Sequence, residues 1–346
     1  MKTLCAILSV LSVLGTACNL AVTTGTPSPI PTFAPIGAAE QAGQLGRGVN
    51  FGNALEAPTE GEWGMRLEER FFDLVKEGGF NTIRLPTRWS AHALPDAPYT
   101  IDAAFFERVD WALENAARRG LNIVVNMHHY DELMAQPDAH RARFSVLWRQ
   151  IAERYKDQPA SVLFELMNEP HDSLTPGAWN ALAAEALAVV RESNPTRNVV
   201  IGGGEWNSVS GLMQLKLPAE DHHLIATFHY YAPFQFTHQG AEWVNGSQSW
   251  LGTEWQGSSN DRVSIDFDFD KVEQWARDNA RPVWLGEFGA YAKADLESRA
   301  RWTEFVARDI EQRGMSWAYW EFGAGFGVYD REQKRWNDAL LKALVP

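Results

Sequence analysis

Eight short apolar runs, separated by segments with helical periodicity, constrain the fold of this chain more than any other feature. Eight strand-then-helix units in about 300 residues predict an α/β fold whose parallel strands close into a (β/α)8 barrel, the TIM barrel. An open doubly wound sheet is the alternative, but residues 46–52 lack the glycine spacing of a dinucleotide-binding turn. The predicted strands are residues 48–51, 82–85, 122–127, 162–167, 199–202, 224–228, 282–286 and 316–320, and the clearest predicted helices are residues 67–77, 102–119, 144–155, 178–192, 270–279 and 296–313.

Composition divides the chain into three predicted segments: a secretory signal peptide at 1–18, a flexible Thr/Pro-rich linker at 19–43, and one barrel domain at 44–346. Lys2 precedes an apolar run that is too short to span a bilayer, which is typical of a signal peptide. The residues that end at Cys18 resemble a bacterial lipobox, so lipidation of Cys18 is expected, with ordinary cleavage as the alternative. We therefore expect an extracellular or cell-surface protein.

The formal net charge of −13 disfavours nucleic acids and anionic membranes as partners, because both require a cationic surface. Contact with a membrane is expected only through a lipid on Cys18. Both cysteines, Cys5 and Cys18, lie in the leader, so the predicted barrel has no disulfide and no thiolate metal site. We expect a monomer without cofactor or metal, and the charge leaves neutral and cationic ligands open.

Polar and aromatic residues stand at or just after the end of most predicted strands. In a (β/α)8 barrel the carboxyl ends of the strands meet at one face, and that face holds the active site. The candidate site residues at this face are Asn53 and Glu56, Arg84, His128 and His129, Asn168 and Glu169, Glu205 and Trp206, His229 and Tyr231, Glu287, and Trp320 with Glu321.

Two of these acids, Glu169 and Glu287, each follow a buried run of apolar residues. Two carboxylates that face each other across a barrel mouth suit glycoside hydrolysis, in which one donates a proton to the leaving oxygen and the other attacks the anomeric carbon. The alternative is that each glutamate pairs with an arginine or caps a helix. The surrounding histidines, asparagines and tryptophans favour the catalytic interpretation.

Ordered motifs then connect the chain to a known family. They are residues 52–58, residues 126–130, the Asn-Glu-Pro segment at 162–171, and residues 234–240. With these motifs the sequence resembles glycoside hydrolase family 5, also called cellulase family A, and most of all its thermophilic bacterial endo-β-1,4-glucanases. The resemblance implies hydrolysis of internal β-1,4 bonds in cellulose or soluble β-glucan by a retaining double displacement. An endo-β-1,4-mannanase, a glucomannanase or a xyloglucanase of the same family is the alternative.

The resemblance also implies roles for the residues at the active site. Glu169 is the acid/base and Glu287 the nucleophile. Apart from the resemblance, Arg84 on the second predicted strand is expected to keep Glu287 ionised by charge proximity, to form a structural ion pair with Glu165 inside the barrel, or to do both. The further implied catalytic residues are His128, Asn168, which binds the 2-hydroxyl of the sugar, His229, which contacts sugar or acid, and Tyr231, whose hydroxyl donates to the nucleophile.

Substrate binding is expected from a second group of residues that surround the two acids. Asn53 and Glu56 match positions that contact distal sugars on the minus side, and Trp320 matches the stacking platform of the minus-one subsite. Flat indole rings stack on pyranose faces, so the remaining predicted mouth tryptophans are platform candidates. These are Trp206 and Trp243, which we favour, and also Trp250 and Trp255, whereas Trp111, Trp148, Trp275 and Trp302 lie on predicted helices and are expected in the core.

The adjacent residues His128 and His129 point to opposite faces if the third strand stays regular to its end. Of the two, His129 matches only closer relatives and is expected to bind substrate. Two other functions remain as alternatives: a metal-dependent barrel hydrolase with ligands from His128, His129, His229, Glu169 and Glu287, and a glycan-binding barrel without turnover. Neither is favoured, because a His-x-His motif is absent from the sequence and both catalytic acids are present.

Overall fold

Eight parallel strands close into a single barrel in the computed structural model, which describes residues 35–346. The strands follow chain order, and β1 pairs with β8 as well as with β2, which completes the closure. The predicted (β/α)8 fold is therefore confirmed, while the predicted leader and most of the linker lie outside the described residues. The strands are β1 Arg47–Asn50, β2 Thr82–Leu85, β3 Asn122–Asn126, β4 Val162–Glu165, β5 Val199–Gly202, β6 Leu224–Tyr230, β7 Val283–Phe288 and β8 Ser316–Tyr319, and a small hairpin pairs β9 Tyr329–Asp330 with β10 Arg335–Trp336.

Helices cover the outside of the barrel, and their first residues follow local capping signals. The Asp102 carboxylate accepts from the Ala104 backbone N–H, and the Thr175 hydroxyl accepts from Ala178, so both helices begin where the sequence supplies a cap. Among the described residues, no helix is long and apolar enough to cross a membrane. The helices are α1 Ala38–Leu45, α2 Glu69–Glu77, α3 Ala103–Arg118, α4 Asp131–Ala135, α5 Pro137–Tyr155, α6 Pro176–Ser193, α7 Gly204–Asn207, α8 Val209–Gln214, α9 Phe234–Thr237, α10 Ser259–Asn279, α11 Leu296–Gln312 and α12 Asp338–Leu344.

The prediction for α10 placed its start at residue 270, eleven residues too late. A capping box between Ser258 and Asp261 starts this helix, and Ile265 and Phe269 bury its first turns against the barrel. The acidic residues between those apolar positions, Asp266 and Asp268, obscure the helical period in the first turns of α10.

The first described helix, α1, closes the bottom of the barrel. Its buried residues pack against an inner cluster of strand side chains, and backbone carbonyls of α1 accept hydrogen bonds of 2.6 Å from Thr82 and from Ser316. Residues 38–43, which were predicted to be part of the flexible linker, therefore belong to the barrel domain. The inner cluster comprises Ala38, Ala42 and Leu45 from α1 and Val124, Leu163, Val200, Ile225, Trp284 and Ala318 from six strands.

At the carboxyl end of the barrel, the point where each strand ends determines whether a site residue lies on a strand or on a loop. Both β6 and β7 extend two residues beyond their predicted ends, so His229 and Glu287 are strand residues. The register of this pair shifts between Phe228 and His229, and His229 then lies opposite Glu287. By contrast, β4 ends at Glu165, so Asn168 and Glu169 lie on the loop that follows.

The packing of α1 leads to a prediction about stability. Leu45 is fully buried in the inner cluster, so Leu45→Ala should lower the free energy of unfolding by about 3 kcal/mol through lost burial and a residual cavity. Gln44→Ala, on the exposed side of the same helix, is the matched control and should leave it near the wild-type value. Chemical denaturation measures both. A Leu45→Ala variant as stable as Gln44→Ala would contradict the role of α1 as part of the domain.

Candidate active site

A single buried guanidinium, that of Arg84 on β2, organises the floor of the site. Its Nε and Nη2 donate to the two oxygens of Glu165 at 2.6 and 2.7 Å, and its Nη1 donates to Asn50 at 2.9 Å. The same guanidinium also reaches Asn168 at 2.8 Å and the Oε1 atom of Glu287. Both interpretations of Arg84 therefore hold together, since one side chain binds Glu165 and Glu287 at once.

Two donors favour the ionised form of Glu287. One is Arg84, and the other is the Tyr231 hydroxyl, which donates to its Oε2 atom at 2.8 Å. Burial raises the pKa of Glu287, whereas the charge on Arg84 and the hydrogen bond from Tyr231 act in the opposite direction. The carboxylate is thus fixed in position and has a cationic and a neutral donor, one on each oxygen.

Glu169 has a different environment, although it lies close by. Its backbone has a φ of 46°, which turns the side chain over the barrel mouth, and a quarter of that side chain is exposed. Its Oε1 atom lies 2.7 Å from Nδ1 of His229. Burial raises the pKa of Glu169 to about 7, and burial lowers the pKa of His229 to about 4, so the partner of Glu169 is a neutral imidazole.

The distance between the two acids is short. One carboxylate oxygen of each, together with a ring nitrogen of His229, lies within 4.8 Å of the others. Carboxyl groups about 5 to 5.5 Å apart are typical of retaining glycosidases, and those about 6.5 to 9.5 Å apart are typical of inverting ones, which need space for a water molecule. The spacing of Glu169 and Glu287 suits direct attack by one carboxylate.

The same three residues, Glu169, His229 and Glu287, are also the candidate metal ligands among residues 35–346. Their donor atoms are already engaged: both Glu287 oxygens accept from Arg84 and Tyr231, and His229 Nδ1 contacts Glu169. A metal ion here would also lie beside the Arg84 guanidinium, which repels it. The donor set therefore fits acid and nucleophile chemistry better than metal binding.

Trp320, which the resemblance places on the minus side of the site, lies beside His128. Their rings are parallel within 9°, with centroids 5.5 Å apart. Gly52 makes room for the indole, because a Cβ at this position would lie 3.0 Å from the Trp320 ring. Between platform and acids, Asn168 accepts from Arg84 through Oδ1, which leaves its Nδ2 amide as a donor for a ligand.

Both histidines of the adjacent pair reach the barrel mouth. Since β3 ends at Asn126, the alternation of a regular strand no longer applies to them, and their rings meet edge to face at 4.7 Å. Asn126 also fixes His128 through a 3.1 Å contact between Nδ2 and the ring Nδ1. His129 packs on Trp63, a partly exposed residue that the sequence analysis did not single out.

Glu56 differs from its predicted position in contact with a sugar. Only 1% of it is exposed, and its carboxylate accepts from the backbone N–H groups of Asn53 and Ala54. Burial raises the pKa of Glu56 to about 8 in spite of these bonds. Glu56 therefore holds the loop that contains the partly exposed Asn53.

A cleft of about 1140 Å³ extends from Glu169 and His229 along the other side of the site. Trp206 and Trp243 line it and are 53% and 61% exposed, as expected for platforms. Trp255 was expected at the mouth but is 2% exposed and packs on Phe305 of α11. Trp250 lies near Phe234, with ring centroids 6.0 Å apart.

The sequence did not predict three other residues that line this cleft. Phe234 and His238 stack at 4.1 Å and belong to the segment after β6, where the absence of a period hid their positions. Met213 comes from α8, a helix too short to show periodicity. The signal that could have identified Phe234 and His238 is the motif at residues 234–240.

Comparison with known proteins agrees with this geometry. The family model Cellulase (glycosyl hydrolase family 5) matches residues 46–325. The chain belongs to glycosyl hydrolase family 5. The match covers every strand from β1 to β8, and the resemblance noted in the sequence is confirmed.

Among family 5 relatives, Endoglucanase H of Acetivibrio thermocellus is 38% identical over 312 residues, which are 88% of this chain and 33% of that protein. The chain thus spans about a third of its length. Thermotoga maritima Cel5A in complex with mannotriose is 52% identical, with a TM-score of 0.88 over 89% of this chain and 100% of that one. A hyperthermophilic endo-β-1,4-glucanase in complex with substrate is 44% identical, with a TM-score of 0.88 over 90% and 99% of the two chains.

The buried charges of this family 5 site predict a stability effect. Arg84→Met leaves Glu165 and Glu287 buried without their cation, so the free energy of unfolding should fall by about 3 to 5 kcal/mol. Adding E165Q to R84M should recover part of that loss, since one unpaired charge is removed. Arg70→Met, which breaks an exposed pair on α2, serves as the control and should leave the melting temperature near wild type. Wild-type stability of R84M would contradict the central position of Arg84.

The environments of the two acids predict the pH dependence of kcat/KM. The acid role implied by the resemblance requires a protonated Glu169, so with its pKa raised to about 7 its contribution to kcat/KM is present below that pH and lost as the pH rises through about 7. The implied nucleophile role requires an ionised Glu287, so kcat/KM should also fall in acid as this carboxylate gains a proton. Glu169→Gln, measured on a dinitrophenyl glycoside, should lose the basic limb. Persistence of that limb at pH 7 in Glu169→Gln would assign it to another group.

Proposed function

We propose that this family 5 protein is an endo-β-1,4-glucanase that hydrolyses internal β-1,4 bonds of cellulose or soluble β-glucan with retention of configuration. The observation that carries the proposal is the pair Glu169 and Glu287, whose oxygens lie within 4.8 Å and whose surroundings differ in charge. Relatives named endoglucanases and a solved endo-β-1,4-glucanase bound to substrate support the same activity.

In the first step, Glu287 attacks the anomeric carbon while Glu169 protonates the leaving glycosidic oxygen. Arg84 and Tyr231 hold the nucleophile in one orientation, which reduces the reorganisation needed during attack. The free amide of Asn168 donates to the 2-hydroxyl of the reacting sugar, and this bond can strengthen as positive charge develops on the ring. The product of this step is a glycosyl ester on Glu287.

Arg84 remains paired with a carboxylate when this ester forms. When Glu287 loses its negative charge, Arg84 keeps a two-bond pair with Glu165, so the guanidinium is not left without a counter-ion. Glu169, now ionised and 2.7 Å from Nδ1 of the neutral His229 ring, takes a proton from a water molecule. That water then displaces Glu287 and restores both acids to their starting states.

Attack on internal bonds is supported by the distribution of aromatic platforms. Trp320 and His128 lie on one side of the acids, and Trp206 and Trp243 line the cleft on the other side. Sugars can therefore bind on both sides of the scissile bond. A polymer chain that passes across the barrel mouth would use all of these rings.

A second candidate function is an endo-β-1,4-mannanase or glucomannanase. The observation that favours it is the similarity to Thermotoga maritima Cel5A, of which complexes with mannotriose and with cellobiose are known. Reducing-sugar release from carboxymethyl cellulose, barley β-glucan, glucomannan, mannan and xyloglucan separates the candidates. The glucanase proposal requires kcat/KM to be highest on one of the first two polymers, and a higher value on mannan would overturn it.

Export and quaternary state complete the proposal. We propose that the protein is exported and carries a lipid on Cys18, as the apolar run after Lys2 and the lipobox-like residues support. Cys18→Ala should then move activity from the membrane fraction to the soluble fraction, whereas equal fractionation of both forms would contradict lipidation.

We also propose that the protein is a monomer, because the closed barrel of the described residues leaves no strand edge for pairing. Analytical ultracentrifugation would test the oligomeric state.

Substitution of the two acids tests the mechanism. Glu287→Ala should reduce kcat on β-glucan by at least about 10⁴-fold, since no nucleophile remains. Glu169→Ala should lower kcat/KM on β-glucan by about 10²- to 10⁴-fold but spare a dinitrophenyl cellobioside, whose leaving group needs no proton. Glu304→Ala, an exposed acid on α11, is the matched control and should keep wild-type rates. Substantial turnover by Glu287→Ala would exclude it as the nucleophile.

The stereochemical outcome gives an independent check on the same mechanism. Proton NMR during early hydrolysis of a cello-oligosaccharide should show the β-anomer of the product first, followed by slow mutarotation. Appearance of the α-anomer first would indicate inversion. That result would contradict the retaining interpretation of the short distance between Glu169 and Glu287.

A further inference from the structure

His171, which directly follows the Asn168-Glu169-Pro170 segment, contacts both the acid/base and a platform of the cleft. Its Nδ1 lies 2.5 Å from the backbone carbonyl oxygen of Glu169. Because a carbonyl oxygen can only accept, Nδ1 must carry the proton and donate. The face of the same imidazole lies on the indole of Trp206, with centroids 5.0 Å apart and ring planes within 10° of parallel.

The backbone joins the same two segments a second time. The Trp206 N–H donates to the carbonyl oxygen of Pro170 at 3.1 Å. Glu169 has a φ of 46°, and Glu205, Trp206 and Asn207 have φ values of 53°, 58° and 52°. Non-glycine residues keep such conformations only where the surroundings hold them, and the contacts between the two segments are part of what holds them here.

Trp206 depends on this contact for its orientation. Its side chain is 53% exposed and lines the cleft, and among residues 35–346 its aromatic neighbour is His171. An exposed indole without such a neighbour would populate several rotamers, and ordering them on binding costs free energy. Trp243, by contrast, packs on Tyr291 and Phe326 and does not rely on His171.

We propose that His171 is a positioning residue that couples the acid/base Glu169 to the leaving-group platform Trp206. The inference rests on the proposed function. The oxygen that Glu169 protonates belongs to the sugar on the leaving-group side, so the acid and the platform for that sugar must keep a fixed spacing. One imidazole that donates to the Glu169 backbone and stacks on Trp206 sets this spacing in the free enzyme.

Two substitutions separate the two contacts of His171. His171→Phe keeps a ring on Trp206 but removes the donor to Glu169, whereas His171→Asn keeps an N–H donor near the Nδ1 position but removes the stack. His171→Phe should lower kcat on cello-oligosaccharides about tenfold with little change in KM, because proton donation is misaligned. Its kcat/KM on a dinitrophenyl cellobioside, which needs no proton donor, should stay within about twofold of wild type.

His171→Asn should instead raise KM for cello-oligosaccharides by about three- to tenfold, the effect of losing one ordered stacking platform. Because the stack is then already lost, adding W206A to H171N should raise KM little further. Adding W243A to H171N gives the matched control, and its effect on KM should multiply with that of H171N, since the two residues share no contact.

Each outcome bears on the proposal. The coupling would be overturned if H171N and W206A raised KM by factors that multiply in the double variant. It would also be overturned if H171F lost kcat/KM equally on cello-oligosaccharides and on the dinitrophenyl cellobioside. The melting temperatures of all variants, expected near wild type, separate a general loss of structure from a local effect. A wild-type protein that cleaves neither substrate would overturn the proposed function and this inference with it, whereas an active wild type with multiplicative effects overturns the coupling alone.

Discussion

The interaction on which the site depends is the burial of one guanidinium, that of Arg84, among two carboxylates and two amides. A buried arginine is costly to desolvate and is tolerated only where its N–H groups find partners. Here the partners come from three other strands and one loop, namely Asn50 on β1, Glu165 on β4, Glu287 on β7 and Asn168 after β4. The closed barrel brings these elements around one point, so the site depends on closure of the sheet.

The different roles of the two acids follow from where their strands end. Glu287 lies within β7, inside the reach of Arg84 and Tyr231, and both donors favour its charged form. Because β4 ends at Glu165, Glu169 lies four residues beyond the strand with a positive φ, and the group against it is the neutral His229 rather than a cation. Glu165 thus takes the bidentate position on Arg84, and Glu169 is left with the raised pKa that a proton donor requires.

The sequence predicted the barrel and both acids because these depend on local signals: apolar runs that alternate with helices, and an acid at or near a strand end. The predictions were wrong where long-range contacts determine the position of a residue or a helix. Helix α1 is short and follows a Pro-rich segment, and it forms because its buried residues join one cluster with side chains from six strands. Glu56 turns inward because two backbone N–H groups donate to its carboxylate. Trp255 packs under α11, which no spacing in the segment 232–266 could indicate.

The cleft tryptophans are exposed, which distinguishes them from the tryptophans that stabilise the core. The core already has large fully buried aromatic residues, including Trp148, Trp284 and Trp302, whereas Trp206 and Trp243 are more than half exposed and contribute little buried area. Exposed indoles that do not stabilise the fold indicate a ligand, and sugar faces are the ligands that flat rings bind without charge. Since Arg84 and Glu165 form the floor and the tryptophans form the rim, stability and substrate binding reside on different residues of one barrel. Substitutions at the rim should therefore alter KM without altering the fold.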